Sequence, residues 1–592
     1  MKARSLTVLV LFLTLTLVFL ACSKGAEGET TEAKPDFDPE TFVFADYGTI
    51  RTLDPATCYD NVGMQKILNI YETLIFFDGE STDKYIPVLA TQVPTLENGG
   101  VSEDGKSYTF EIREGVKFHN GAELTAQDVA YTFKRNMILD QDGGPMWMLL
   151  EALTGEGGTR DGDGNIIPGI FEKIDKSVEV VGNKVVFHLP IPYPPFISLL
   201  WYSAGAIINK EWAIENGCWD GVLANAADYN NPGFGEEPLT KIENGTGPYT
   251  MKSWEPSKEF VFERFEGYWG DKPKIKTAIF KNVNEWSTRK LMLQNGDADR
   301  VQVDNAYVPD VKEMEGLTIY EVPLLDISCA LFNQKVSTQA NPNIGSGKLD
   351  GNGIPPDFFA DINVRKAFLH SFDRETYKRE VFNDLVIMPT SPNVEGLPYH
   401  KDAPVYDYNP DKAKEYLQKA FDGEIWEKGF KMIISYNTGN EQREAAATMI
   451  AENIMALNPK FQIEIRNVDW KDYLVKYRNY MYPMFLIGWG ADYPDPHNFI
   501  YTFMSSKGVY GRYMAYKNEK VDQLTDLGIK TVDPEKRREI YSELQDLWYE
   551  EALGIPIYQN VAVRAYKDYV YGYEPNPIFS TAWENLKSIY KQ

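Results

Sequence analysis

Residues Ser102–Arg135 read SEDGKSYTFEIREGVKFHNGAELTAQDVAYTFKR, and turn, strand and helix follow one another within them. Ser102-Glu-Asp-Gly105 is a turn, and Tyr108-Thr-Phe-Glu-Ile-Arg113 alternates apolar and polar residues as a half-buried strand does. Gly115–Gly121 (GVKFHNG) reads as a second short strand and a turn. Thr125-Ala-Gln-Asp128 has the spacing of a capping box with Asp in place of Glu, and Val129, Phe133 and Met137 then fall on one helical stripe. A strand feeding an amphipathic helix is the unit of an α/β protein.

The same alternation extends outward. Upstream, Thr41–Ala45 is β-like, and the apolar run Asn69–Phe77 (NIYETLIFF) ends at a turn, Asp78-Gly79. Downstream, Ser177–Val181 and Lys184–Leu189 flank Gly182-Asn183, a two-residue hairpin signal. Asp361 opens a helix with Val364, Phe368 and Phe372 on one face. Glu441–Leu457 carries Ala445, Met449, Ile450, Ile454 and Leu457, and Asp533-Pro534 is an N-cap with proline at the first helical position. Lys431–Tyr436, Phe461–Val468 and Met484–Trp489 read as strands between these helices. Mixed α/β lobes follow, and a helical bundle or a sandwich does not. No internal repeat is present.

Composition narrows the function. Beyond the first two dozen residues, about 570 residues are too many for one core, so two or three lobes are expected. With 86 acidic against 60 basic residues the net charge is −26, which excludes a nucleic-acid partner because a phosphate backbone needs basic surface. Besides Cys22 the only cysteines are Cys58, Cys218 and Cys329, so neither a disulfide framework nor a CxxC metal site can be built; a single bridge stays open. His119, His188, His370, His400 and His497 have no ligand-pair spacing, and no nucleophile elbow or zinc motif occurs. The expectation is a non-enzyme without metal or cofactor. Aromatic residues make up 13% of the chain, and such an excess of Tyr and Trp suits a closing ligand cleft.

Two loops carry motif-like spacing. Asp161-Gly-Asp163-Gly-Asn165 with Glu172 has EF-hand offsets, but Ile166 stands where that loop needs glycine and Pro168 intrudes, so it reads as a solvated insertion. Gly345–Ile354 (GSGKLDGNGI) lacks the ending of a phosphate-binding loop and reads as a plain loop.

At the amino end, Lys2 and Arg4 precede the apolar run Ser5–Leu20, too short for a membrane span and of the right length for a secretion signal. Ala21-Cys22 then resembles the bacterial lipobox, with Phe19 where that box carries Leu, which makes Cys22 the expected lipid-attachment residue. An uncleaved signal anchor is the alternative. The polar stretch that follows reads as a flexible tether. The expected location is extracytoplasmic, lipid-anchored to a bacterial membrane.

Six segments then match one family in order. They are Leu53-Asp54-Pro55-Ala56, Tyr71-Glu72-Thr-Leu74, Ser102–Arg135, Gly245-Thr-Gly-Pro-Tyr249, Val364-Arg-Lys-Ala367 through Asp373-Arg374, and Gly488-Trp-Gly-Ala-Asp-Tyr-Pro-Asp495. The chain resembles the peptide/nickel class of ABC-transporter solute-binding proteins over nearly its whole mature length. The resemblance implies the two-lobed periplasmic-binding-protein fold, with a hinge and an extra subdomain on lobe I. It divides the chain into a signal (1–21), a tether (22–37), lobe I (38–80, 200–325 and 561–592), the extra subdomain (81–199) and lobe II (326–560). It implies a monomer whose partners are a small ligand, an ABC permease and its ATPases.

Candidate ligand residues come from the Pro483–Pro496 segment (PMFLIGWGADYPDP). Gly488 and Gly490 leave the backbone bare on both sides of Trp489, as strand addition by an extended peptide would need. Trp489 would cover an apolar side chain. By the resemblance, Asp492 receives the ligand's α-ammonium; a turn cap before Tyr493-Pro494 is its competing role. Trp470 matches a cleft-lining position, with a place in the lobe II core as the alternative, and Tyr493 completes the set. Tyr59, Asn61, Trp147 and Trp201 are lesser candidates from lobe I. Basic positions that hold a ligand carboxylate in some relatives appear here as Gln442, Tyr477 and Leu486, with Arg443, Lys476 and Arg478 beside them in sequence, so the far-end anchor is unassigned. A cysteine pair of some relatives is replaced by Leu325 and Gly490. Peptide is the expected cargo, with an oligosaccharide or chelated nickel as alternatives and a secreted hydrolase as the reading from another class.

Overall fold

The structure is a computed structural model that describes residues 37–580 and 583–592. The secretion-signal run, Cys22 and the tether up to residue 36 lie outside the described residues. Residues 39–592 form one compact unit.

A mixed sheet of twelve strands runs through that unit. In lobe I, Thr41–Asp46 lies parallel to both Thr277–Asn282 and Arg300–Gln302, and the antiparallel strands Glu259–Arg264 and Tyr249–Glu255 extend the sheet. In lobe II, Phe430–Asn437 lies parallel to Phe461–Val468 and Met484–Gly490, and the last of these pairs antiparallel with Asp326–Phe332. One long strand, Gly554–Lys567, links the halves. Its first residues pair with Asp326–Phe332, and from Val561 onward it pairs with Leu317–Pro323 and Arg300–Gln302.

The chain therefore crosses twice, here and at Pro323–Asp326. The crossings are tied together, because Asp326 accepts hydrogen bonds from the Asn560 backbone N–H at 2.9 Å and the Asn560 side chain at 2.7 Å. Burial pushes the Asp326 carboxyl up to about 6 against these bonds.

Lobe II is buried on both faces of its sheet. Ala330, Phe332, Met484 and Leu486 face a core with Val364, Phe368, Ile450 and Ile454, whereas Ile327, Cys329, Phe485 and Ile487 face Phe499, Leu544 and Leu547. Successive side chains alternate between two apolar layers, which is why Met484–Ile487 reads as a continuous apolar run.

The extra subdomain is built as Ser102–Arg135 demands. Ser107–Glu111 and Val178–Val181 flank Lys184–His188 in a three-stranded antiparallel sheet, and the helix Ala126–Leu139 packs on it. Thr125 and Asp128 form the reciprocal capping box, and Val129, Phe133 and Met137 are fully buried. Gly115–Gly121 departs from its expected strand. It makes one bridge, Lys117 to Glu123, while Val101 bridges Tyr108 in Ser107–Glu111 and Ala90 bridges Ile112 just beyond that strand.

The motif residues tie the fold together. Asp54 takes a bidentate ion pair from Arg135, both fully buried, with contacts of 2.6 and 2.5 Å. Glu72 accepts from Tyr268, Trp269 and Thr246. A side chain at Gly245 or Gly247 would strike the Ile70 carbonyl, to which the Gly247 N–H donates at 2.8 Å. Arg365 and Arg374 donate to main-chain carbonyls, and Asp495 holds Arg537 with both oxygens.

Candidate ligand-binding cleft

Asp492 sits where the Met484–Gly490 strand leaves the sheet. The Ala491 N–H donates to the Leu325 carbonyl at 2.8 Å and fixes the exit. The next helix, Pro496–Met504, starts from the Asp495 cap, which places Asn498 in its first turn pointing back along the loop. Asn498 donates its amide to Asp492 Oδ2 at 3.2 Å, and its oxygen accepts from the Asp492 N–H at 3.2 Å and Trp489 Nε1 at 2.9 Å.

The other half of the molecule reaches the same carboxylate. The Tyr59 hydroxyl donates to Asp492 Oδ1 at 2.7 Å, and Trp147 Nε1 donates to the Tyr59 oxygen at 3.3 Å. Both Asp492 oxygens are thus held by neutral donors, and among the described residues no cation pairs with it. Burial raises its pKa above the ordinary 3.8, opposed by the bonds from Tyr59 and Asn498. A cavity of about 540 Å³ opens beside Tyr59 and Trp147.

The two glycines differ. A Cβ on Gly488 would lie 2.6 Å from an Arg443 guanidinium nitrogen and 2.8 Å from the Ile327 carbonyl, whereas one on Gly490 meets nothing within 4 Å. The Gly488 carbonyl is already engaged by the Tyr510 hydroxyl at 2.6 Å. Gly490 thus faces open space on its side-chain side, and Gly488 makes room for Arg443. Trp489 is half-buried, with its ring edge-on to Tyr510. Tyr493 is buried, and its hydroxyl lies 3.5 Å from that of Tyr193 in the extra subdomain. Trp470 is 46% exposed and stacks on Tyr473, whose hydroxyl donates to the Leu486 carbonyl. It belongs neither to the core nor to the Asp492 network.

Of the lesser candidates, Tyr59 and Trp147 join Asp492. Trp201 is buried against Phe77 and Phe579, and Asn61 is exposed at the start of the helix Asn61–Ile70. Tyr477 and Leu486 are core residues, and Lys476 and Arg478 are exposed. Arg443 is held by Ser328 at 3.1 Å and Asn437 at 2.7 Å, and it forms no ion pair with a carboxylate among the described residues.

Asn498 and Tyr510 escaped the sequence reading. The Asp495-Pro496 helix start was the signal available for Asn498; nothing in the sequence marks Tyr510. Cys58, Cys218 and Cys329 are buried and free, so the bridge left open does not form among them. Asp161 spends its carboxylate on its own loop, accepting from the Asp163 and Asn165 N–H groups.

Residues 84–511 match the family model of bacterial extracellular solute-binding proteins, family 5. The dipeptide-binding protein of Escherichia coli is 25% identical, with 98% of each chain covered. The oligopeptide-binding protein OppA of Bacillus subtilis is 26% identical over 93% of each. The DppA periplasmic binding protein of Helicobacter pylori, solved with the peptide STSA, superposes with a TM-score of 0.66 at 22% identity, covering 93% of this chain and 98% of that one. With the family model spanning well over half of its length, the chain belongs to the bacterial extracellular solute-binding proteins of family 5.

Proposed function

We propose that the chain is the ligand-capturing component of an ABC importer and that its cargo is a peptide, closed between lobes I and II and handed to the permease. The observation that carries this reading is Asp492, an acid at the junction of the two halves whose oxygens are positioned by Tyr59 and Asn498 and which pairs with no cation among the described residues. Such a carboxylate is suited to an α-ammonium, and its neutral donors leave it able to accept further hydrogen bonds. The named relatives bind dipeptides and oligopeptides, which supports the same class of cargo here.

Arg443 supplies the far-end anchor in this reading. It is the cation beside the glycine strand, and Gly488 clears the space its guanidinium occupies. Trp489 then covers a side chain between the two charges, and the backbone at Gly490 meets the ligand's main chain. Binding at Asp492 from both halves favours the closed arrangement, so the ligand biases a hinge at the two crossings. The limits of the lobes stay as the resemblance draws them, supported by the change of pairing partner between Tyr558 and Val561. The protein works as a monomer, leashed outside the cell by lipid on Cys22, and it does no chemistry on its cargo.

Thermal shift against di-, tri- and pentapeptides and against cello-oligosaccharides tests the reading, because a ligand at 100 times its Kd adds about 2.7 kcal/mol. Stabilisation by peptides is expected. The sugar reading draws on the exposed indole of Trp470, and stabilisation by the oligosaccharides alone would establish it in place of peptide.

A further inference from the structure

The cavity of about 540 Å³ beside the amine anchor is larger than an ammonium needs. Its volume falls within the roughly 300–1,000 Å³ of small-molecule pockets. Tyr59 and Trp147 line it, and the Tyr59 hydroxyl that donates to Asp492 Oδ1 at 2.7 Å sets it against that carboxylate.

Beyond the two aromatic rings, the wall is made chiefly of two loops, 140–144 and 157–164. They are braced together. Arg160 donates to the Asp140 carbonyl at 2.6 Å, to Asp142 Oδ1 at 2.8 Å and to the Asn230 side chain at 2.6 Å. The Asp142 N–H donates to Asn231 Oδ1 at 2.9 Å, and the Asn231 amide donates back to Asp142 Oδ2 at 3.2 Å. A wall fixed in this way costs a ligand little ordering. None of the residues lining the cavity is aliphatic; apart from Tyr59 and Trp147 they are glycines and Asp, Asn, Gln or Arg.

The glycines of these loops are of two kinds. Gly143 and Gly164 have φ of +74° and +84°, where glycine is favoured. Gly157 and Gly162 lie outside that region, and a Cβ on either would meet nothing within 4 Å. Neither backbone conformation nor close packing calls for glycine there. What a side chain at these two positions would take away is room in the cavity.

We propose that this cavity is the subsite for the first side chain of the bound peptide, and that it takes Tyr, Trp, Gln and Arg ahead of aliphatic residues. The subsite rests on the peptide reading: a residue whose α-ammonium sits on Asp492 carries its Cβ two bonds from that nitrogen, within reach of the Tyr59 and Trp147 rings. Those rings suit flat and guanidinium groups. The glycine backbone and polar side chains offer hydrogen bonds that an aliphatic chain leaves unmade.

Calorimetric titration of the whole mature protein with tripeptides X-Ala-Ala, where X is Gly, Ala, Leu, Tyr, Trp, Gln or Arg, tests this. The wild type is expected to bind the Tyr, Trp, Gln and Arg peptides about 10-fold or more tightly than the Ala peptide, with Leu close to Ala. Gly157→Phe and, separately, Gly162→Phe set a ring in the cavity and should bring those four peptides down to the affinity of the Ala peptide. Gly157→Ala adds only a methyl group and should keep the preference. Thermal denaturation identifies which variants are folded. Equal affinity for every X in the wild type, or a Leu peptide bound as tightly as the Tyr one, overturns the subsite and leaves the peptide reading intact. So does an equal loss for all peptides in a folded Phe variant, or a preference that survives both. Binding of none of the tripeptides overturns the peptide reading, and the subsite with it.

Discussion

Replacing Asp492 by Asn removes one charge at nearly constant size and tests the amine anchor. An ammonium about 4 Å from the carboxylate is attracted by roughly 4 kcal/mol at an effective dielectric near 20. Desolvation of the two ions offsets much of this, and hydrogen bonds to charged groups are worth about 1.5–3 kcal/mol net. Asp492→Asn should therefore weaken free-amine peptides by about 10- to 150-fold. The substitution also turns an amide toward the Asn498 amide, and Asn498 cannot rotate without releasing Trp489 and the residue 492 N–H. That local cost is on the order of 1 kcal/mol and is paid in the absence of ligand, where thermal denaturation reads it. The assay is calorimetric titration with one peptide in its free and N-acetylated forms. The acetylated form should lose less than about threefold, since it carries no charge to be released. An equal loss for both forms would refute the amine anchor.

Further outcomes follow from the same geometry. Because burial raises the Asp492 pKa above 3.8, free-amine affinity should be complete above that raised value and fall as pH drops through it, with no such fall for acetylated peptides; matching pH profiles for the two would count against it. Arg443→Gln should weaken peptides with a free carboxylate by about tenfold and spare their C-terminal amides, a comparison that titration reads directly. Gly488→Ala drives a methyl against Arg443 and the Ile327 carbonyl and should cost about 1–3 kcal/mol in chemical denaturation, whereas Gly490→Ala should cost under about 0.5 kcal/mol but impair binding. Asp54→Ala leaves the Arg135 charge buried without its partner and should cost about 3–5 kcal/mol, seen as a lower denaturation midpoint.

Elements with caps and one apolar face were legible in the sequence. The helices Ala126–Leu139, Glu441–Leu457 and Pro534–Glu550 were readable from Thr125, from apolar period and from Asp533-Pro534. The strand that joins the halves was not. Gly554–Lys567 is buried on both faces, so it shows no alternation, and Pro556, Gln559, Asn560 and Arg564 break its apolar run. Asn61–Ile70 was missed because Gln65, Lys66 and Asn69 are buried in it, which erases the polar face that marks a surface helix.

The site divides in the same way. Asp492 stood out within its glycine- and aromatic-rich segment, and Tyr59 and Trp147 were named among the lobe I aromatics. What joined them is a meeting of residues 433 apart, which no local pattern encodes. Arg443 was visible only as a neighbour of Gln442, since its direction depends on the helix phase against a strand that has Gly488 in register. Motif residues that reveal the family, among them Asp54, Arg135, Glu72 and Arg365, hold the fold through buried ion pairs and hydrogen bonds.

The most direct test of capture between two closing halves uses the purified protein and a mixed pool of peptides. After incubation and removal of unbound material, mass spectrometry identifies what is retained. The account predicts intact peptides with free amino ends, released unchanged on denaturation. Retention of no peptide, or recovery of shortened ones, would contradict it.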